Sequence, residues 1–227
     1  MGIVVRQSVK TTIVIFAGAL LGAFITYAYA FVFENVEQGY ITNFVFQAAL
    51  IQIFTLLGTS SLVGVYTQRY AETDPRQKVL LSFGVLTIVG TTVIFSIAYF
   101  LMKDFVVGKY KFEDRIYIDR YYWCMPLLVL CWSFMTLFDS YLITKQKVAM
   151  VALMRDVIVR VLNIIFLAFF YFKIFSFDQF VFSVILTYLI PTLAMVFVAG
   201  KVKGFGFSLN FKLCSKKEYK EFFHFSW

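Results

Sequence analysis

Six apolar runs separated by short polar segments organise this chain. They cover about 12–32, 41–66, 79–102, 121–144, 148–172 and 180–200, and each supplies the roughly 20 mostly apolar residues that a helix needs to cross a bilayer. Between them lie FENVEQGY, TQRYAETDPRQK (Thr67–Lys78), the long loop Lys103–Arg120, and the turn KIFSFDQ. The fifth run opens on the charged stretch MRDVIVR. The pattern predicts an all-α integral membrane protein, a six-transmembrane-helix bundle over residues 1–200. Residues 201–227 form a basic connector, with SKKEYKEFFHFSW reading as the start of a seventh helix cut short. The first run is longer than the apolar stretch of a signal peptide and five more follow it, so it reads as a retained helix. Met1-Gly2 is not followed by Ser or Thr at the sixth position, where Arg6 stands, so it does not make a myristoylation site.

Composition agrees with lipid as the solvent. Hydrophobic residues make up 61% of the 227 and charged ones 15%, against about 25% charged in soluble domains; the mean hydropathy is +0.80. The 29 Phe and 14 Tyr suit lipid-facing surfaces and interfacial anchors. The second run is unusually polar, with Asn43, Gln47, Gln52, Thr55 and Gly58-Thr59-Ser60-Ser61. That suits either an aqueous path or tight packing through small residues. Gly18 and Gly22 make a GxxxG packing signal in the first run, and Pro191 predicts a kink in the sixth.

The net charge of +8 follows from topology rather than from nucleic-acid binding, which would need a solvated basic face or a recognition fold. Fifteen of the 21 Lys and Arg fall on the N-terminal side: Arg6, Lys10, the 69–78 group, Lys145, Lys147, Arg155, Arg160 and the tail. The other six are Lys103, Lys109, Lys111, Arg115, Arg120 and Lys173, and five of these share a segment with Asp104, Glu113, Asp114 and Asp119. The positive-inside rule therefore places both termini in the cytoplasm, as expected of a multi-pass protein of the cell inner membrane.

The sequence offers no enzyme toolkit. It has one histidine, His224, and no Gly-rich phosphate loop, HExxH or GxSxG; no cofactor or metal site is implied. Cys124 and Cys131 sit about 10 Å apart along one helix, too far for a disulfide, and they read with Cys214 as packing residues. The informative groups are ionisable residues within the apolar runs, which tend to face a bundle interior or a wet cavity. Asp156, Arg160 and Asn163 fall on one helical stripe, with Asp156 and Arg160 placed four apart for an ion pair. Arg160 either faces a cavity or snorkels to the interface. Asp139 sits one to two turns from the end of the fourth run and has Arg155, Arg160 or Lys145 as candidate partners. Arg6, Lys10 and Arg160 are the cations suited to an anionic substrate, although Arg6 and Lys10 serve equally as topology signals.

Three segments, Arg6-Gln7-Ser8-Val9-Lys10, Glu37-Gln38-Gly39 and Leu57-Gly58-Thr59-Ser60-Ser61, resemble the opening of the bacterial Wzx-type oligosaccharide flippases. These are polysaccharide biosynthesis proteins of the multidrug/oligosaccharidyl-lipid/polysaccharide exporter superfamily. The resemblance runs through all six spans, is specific over about the first 65 residues, and is weaker from Leu137 to Arg160. It implies one lobe, the N-terminal six-helix one, of a two-lobed exporter fold. It also implies translocation of undecaprenyl-diphosphate-linked oligosaccharide for surface polysaccharide or lipopolysaccharide synthesis, with Arg6, Lys10 and Arg160 in a cationic cavity. The expected partners are that lipid-linked oligosaccharide, membrane lipids, and a second six-helix lobe or a second copy in a homodimer; nucleic acid is not among them. A non-transporting or truncated component of a glycan-assembly complex is a second reading. A drug or cation antiporter of the same superfamily, with Asp139 or Asp156 as its carboxylate, is a third.

Overall fold

Inside hydrocarbon every backbone N–H and C=O must find a partner within the protein, and a helix does this segment by segment. The computed structural model describes residues 3–70, 74–110, 112–210, 213 and 222, with the side chains of 3–6 and 112–114 left aside. Its helices are α1 (Ile3–Val32), α2 (Asn35–Leu56), α3 (Thr59–Arg69), α4 (Arg76–Leu101), α5 (Lys103–Gly108) and α6 (Phe112–Arg120). They continue with α7 (Cys124–Thr144), α8 (Val148–Ala152), a π-helical turn (Leu153–Ile158), α9 (Val159–Tyr171) and α10 (Phe177–Gly200). Among the described residues there is no strand. Five helical stretches, 7–32 of α1 together with α2, α4, α7 and α10, are long and apolar enough to cross a membrane. They point to a multi-pass membrane protein with an all-α fold.

Helix α7 is the hub. It packs against α10, α3, α2 and α4 and buries Leu128, Val129, Leu137 and Tyr141. Helix α1 lies at the edge, held mainly by α8, the π-turn and α9, with Ile13, Phe16, Leu20, Phe24 and Phe31 exposed. Two apolar clusters fill the bundle. One gathers Leu62, Leu80, Leu137, Tyr141 and Met195; the other gathers Phe44, Ala48, Cys124, Leu128, Phe180 and Val181. A polar layer stitches the helices together. The Gln52 amide donates to Thr136 at 2.5 Å, Thr55 and Ser133 share a hydrogen bond at 2.9 Å, and Thr192 donates to the Cys131 carbonyl at 3.2 Å.

The second apolar run is not one helix. Helix α2 starts earlier than the pattern predicts, at Asn35, and stops at Leu56. Leu57 and Gly58 then take left-handed conformations, φ 42° and 66°, before α3 begins at Thr59. Gly58 adopts this without steric cost, while Leu57 carries roughly 1–2 kcal/mol of Cβ strain. Threonine hydroxyls satisfy carbonyls that the break sets free: Thr59 donates to Leu56 at 2.7 Å and Thr91 of α4 donates to Thr55 at 2.6 Å. This is how broken helices persist away from water. The predicted fifth span is helical from Val148 to Tyr171, but its middle, LMRDVI, is a π-turn.

The segment Lys103–Arg120, expected as a loop, carries α5 and α6. Lys103 pairs with Asp119 at 2.8 Å, and Arg120 and the Tyr121 hydroxyl both bind Asp178 at the start of α10. Tyr99 and Tyr122 stack at 3.9 Å near the same end. Ser176 and Gln179 cap α10 reciprocally, and Pro191 lies inside that helix without ending it. At the opposite end the loop before α4 is held by Asp74, which accepts hydrogen bonds from the Arg76 backbone and guanidinium at 2.8 and 2.7 Å. The Arg76 guanidinium holds the Asp74 carboxyl below the usual carboxylate range. Beyond α10 the chain turns back under the bundle: the Ser208 amide donates to Ser82 at 2.8 Å, and Phe222 is fully buried edge-on to Tyr66. The rest of the proposed seventh-helix start, with Cys214 and His224, lies outside the described residues.

Candidate functional site

Gly18 and Gly22 are four apart, so they share one face of α1, and with no side chains they leave a trough there. The π-turn and the start of α9 fill it. A Cβ at position 18 would fall 2.7 Å from the Asp156 carbonyl oxygen and 2.8 Å from Nη1 of Arg160. One at position 22 would fall 3.2 Å from both Cζ and Nε of Arg160. The guanidinium thus lies along the glycine face of α1, half-buried. It makes no hydrogen bond or ion pair among the described residues. The GxxxG signal holds a second backbone at Gly18, that of the π-turn, and the arginine side chain at Gly22.

The expected Asp156–Arg160 pair does not form. Asp156 is taken by its neighbour instead: Arg155 donates through Nε to Oδ1 at 3.3 Å and through Nη2 to Oδ2 at 3.1 Å. The physical reason is local. Both residues lie in or next to the π-turn, whose wider winding breaks the register that brings i and i+4 together in an α-helix. Arg155 also reaches across to α7, where Nη1 donates to Oδ2 of Asp139 at 2.8 Å. Asp139 therefore has Arg155 as its partner, from among the three the sequence offered. Asp139 is 6% exposed, and among the described residues its buried Oδ1 has no hydrogen-bond partner.

Less than one turn beyond Arg160, Asn163 accepts a hydrogen bond from the Tyr29 hydroxyl of α1 at 2.7 Å. These two residues, with Thr26, Gln38, Thr42 and Tyr188, line a cavity of about 230 Å³ between α1, α2, α9 and α10; its apolar walls include Ile25 and Ile41. Tyr188 lies within electrostatic reach of both Arg160 and Tyr29. The arrangement brings one unpaired guanidinium beside hydroxyl and amide groups. It can hold an anion and hydrogen-bond to hydroxyl-rich groups next to it.

The sequence pointed to Arg160 and Asn163, and the structure places them one above the other on this face. It does not bring Lys10 to them. Lys10 lies eight residues before Gly18, about 12 Å along α1, exposed at the mouth of a separate groove. The Arg6 side chain lies outside the described residues. Tyr29 and Tyr188 were not singled out, and Gln38 only as part of the Glu37-Gln38-Gly39 motif. The one available signal for the tyrosines was a phenol within an apolar run, at mid-helix for Tyr188 and in the last turn of α1 for Tyr29, and in a chain with 14 tyrosines that signal is diluted. Compared with known protein families, characterised proteins and solved structures, the chain matches none.

Proposed function

We propose that this chain is a flippase, or the N-terminal half of one, that moves undecaprenyl-diphosphate-linked oligosaccharide across the bacterial inner membrane for surface polysaccharide synthesis. In this reading six spans, the fifth carrying the π-turn, make one lobe with both termini in the cytoplasm. The observation that carries it is the unpaired Arg160 guanidinium beside a hydroxyl-lined cavity. A cation inside the hydrocarbon layer is costly. An arginine with no counter-ion among the described residues has N–H donors to offer an anion, and the planar fork suits a diphosphate. Thr26, Tyr29, Gln38, Thr42, Asn163 and Tyr188 supply the hydrogen bonds that the first sugars need. The resemblance of the opening motifs to Wzx-type flippases supports the same reading. An antiporter would want a free buried carboxylate, and Asp139 and Asp156 are both engaged by Arg155, so that reading ranks lower.

The test is complementation of a flippase-null strain. The chain alone is expected not to restore surface glycan, because a lone lobe leaves the cavity without its opposite wall. Co-expressed with a second lobe it is expected to restore glycan. Arg160→Gln is then expected to abolish the restoration and Arg160→Lys to retain part of it. Full restoration by the Arg160→Gln chain would overturn the assignment. Restoration by the short chain alone would make a homodimeric flippase the better reading.

A further inference from the structure

We propose that the seam between α1 and α8, at the end of the bundle where the chain begins, holds a membrane phospholipid with an anionic headgroup. Its acyl chain occupies the seam and its phosphate meets Lys10. The seam is a groove of about 440 Å³ walled by Ile13 and Val14 on one side and by Ala149, Met150 and Leu153 on the other, with Lys10 at its mouth.

Three features select the occupant. The walls are almost wholly apolar, so water would find no partners inside and a hydrocarbon chain suits the space. The groove stops short of Gly18, where α1 packs tightly on the π-turn. Lys10, Val14, Gly18 and Gly22 follow one another at i+4 along α1, and at Gly18 the backbone of Asp156 approaches too closely for even a Cβ to fit. The mouth is cationic. Lys10 is exposed and has no ion pair among the described residues. One turn before it, the Gln7 amide donates to the Gln146 carbonyl at 3.1 Å, bringing the exposed Lys147 to the same end. An apolar slot under a pair of ammonium groups complements an amphiphile with a negative head. A zwitterionic lipid presents its own ammonium there and gains less. Arg160 faces the trough that begins at Gly18, so the groove and the cavity are separate sites. The inference rests on the chain being a membrane protein and not on its transporting anything.

The full chain is reconstituted into nanodiscs containing equal phosphatidylglycerol and phosphatidylcholine. It is then re-extracted in mild detergent, and the retained lipid is counted by native mass spectrometry. Phosphatidylglycerol is expected to be retained in preference. Lys10→Gln should cut that preference about fivefold, while Lys173→Gln, at the other end of the bundle, should leave it unchanged. Met150→Trp, filling the slot, should remove bound lipid of both kinds. Lys10→Gln changes an exposed side chain, so its result does not depend on how well the wider variant folds. Equal retention of the two lipids by the wild type would overturn the proposal. So would a preference indifferent to Lys10→Gln, or one lost equally on Lys173→Gln. None of these results bears on complementation by Arg160 variants, so the two readings fail separately.

Discussion

Gly18 and Gly22 differ in what stands opposite them. At Gly18 the obstacle includes the Asp156 carbonyl at 2.7 Å, a backbone atom that moves only if the helix moves. At Gly22 it is the flexible end of Arg160 at 3.2 Å. Gly18→Ala is expected to destabilise the protein by about 1–3 kcal/mol, seen as a lower thermal unfolding midpoint in micelles. Gly22→Ala should leave the midpoint nearly unchanged and only displace the guanidinium. Equal effects would mean that the trough is not built as described. The Asp139–Arg155 pair allows a second comparison. Arg155→Gln leaves a buried carboxylate unpaired and should cost about 2 kcal/mol, less than a fully buried pair because Arg155 is 43% exposed. Asp139→Asn introduced into Arg155→Gln should recover part of the loss, and a further loss in the double variant would contradict the pairing. Sequence spacing places residues on a common face but is silent on what faces them. This is why Asp139 came with three candidate partners, and why the glycines read as a packing motif with no arginine attached.

At the scale of elements, apolar periodicity located the long helices and missed both irregularities. Leu57-Gly58 sits inside a run that stays apolar on either side, and one glycine in a membrane helix is ordinary. The break is fixed by contacts that no local window contains, such as Thr91 reaching the Thr55 carbonyl from α4. The π-turn is similarly hidden, because LMRDVI has ordinary helix-forming composition; what distinguishes it is tertiary, Arg155 reaching α7 and Arg160 meeting α1. The short helices α5 and α6 were missed for the opposite reason: their charge reads as loop. Thr59→Val removes the hydroxyl that covers the Leu56 carbonyl at 2.7 Å and keeps the side chain's shape. It should cost about 1 kcal/mol in unfolding measurements. A stability equal to wild type would show that the carbonyl finds another partner.

For the whole molecule, the topology is open to direct measurement. In the six-span reading, single cysteines at Gln38, Phe112 and Ser176 should label from outside the cell. Those at Glu72, Lys147 and Ser215 should label only after the membrane is opened. Outside labelling at Lys147 would remove the fifth span and with it the placement of Arg160 inside the membrane. Five of the apolar runs were legible as helices that are long and apolar enough to cross a membrane; the fifth run, which holds the π-turn, is not among them. The route of the chain beyond Gly200 was not legible, because the contacts that return it beneath the bundle, Ser208 with Ser82 and Phe222 with Tyr66, join residues far apart in sequence.

The polar layer between α2 and α7 also sets an order of assembly. Gln52 and Thr55 find their partners on α7, 84 and 78 residues further along the chain. At about 5–20 residues per second, α2 leaves the ribosome roughly 4–17 seconds before Thr136 and Ser133 exist to receive it. During that interval the Gln52 amide faces either lipid or the insertion machinery, while the Thr55 hydroxyl can already donate to the Gln52 carbonyl within α2. Helix α1, apolar and at home in lipid, can leave that machinery at once. Helix α2 is expected to stay there longer, because the Gln52 amide meets its partner only when α7 arrives, so the two helices should mature as a pair.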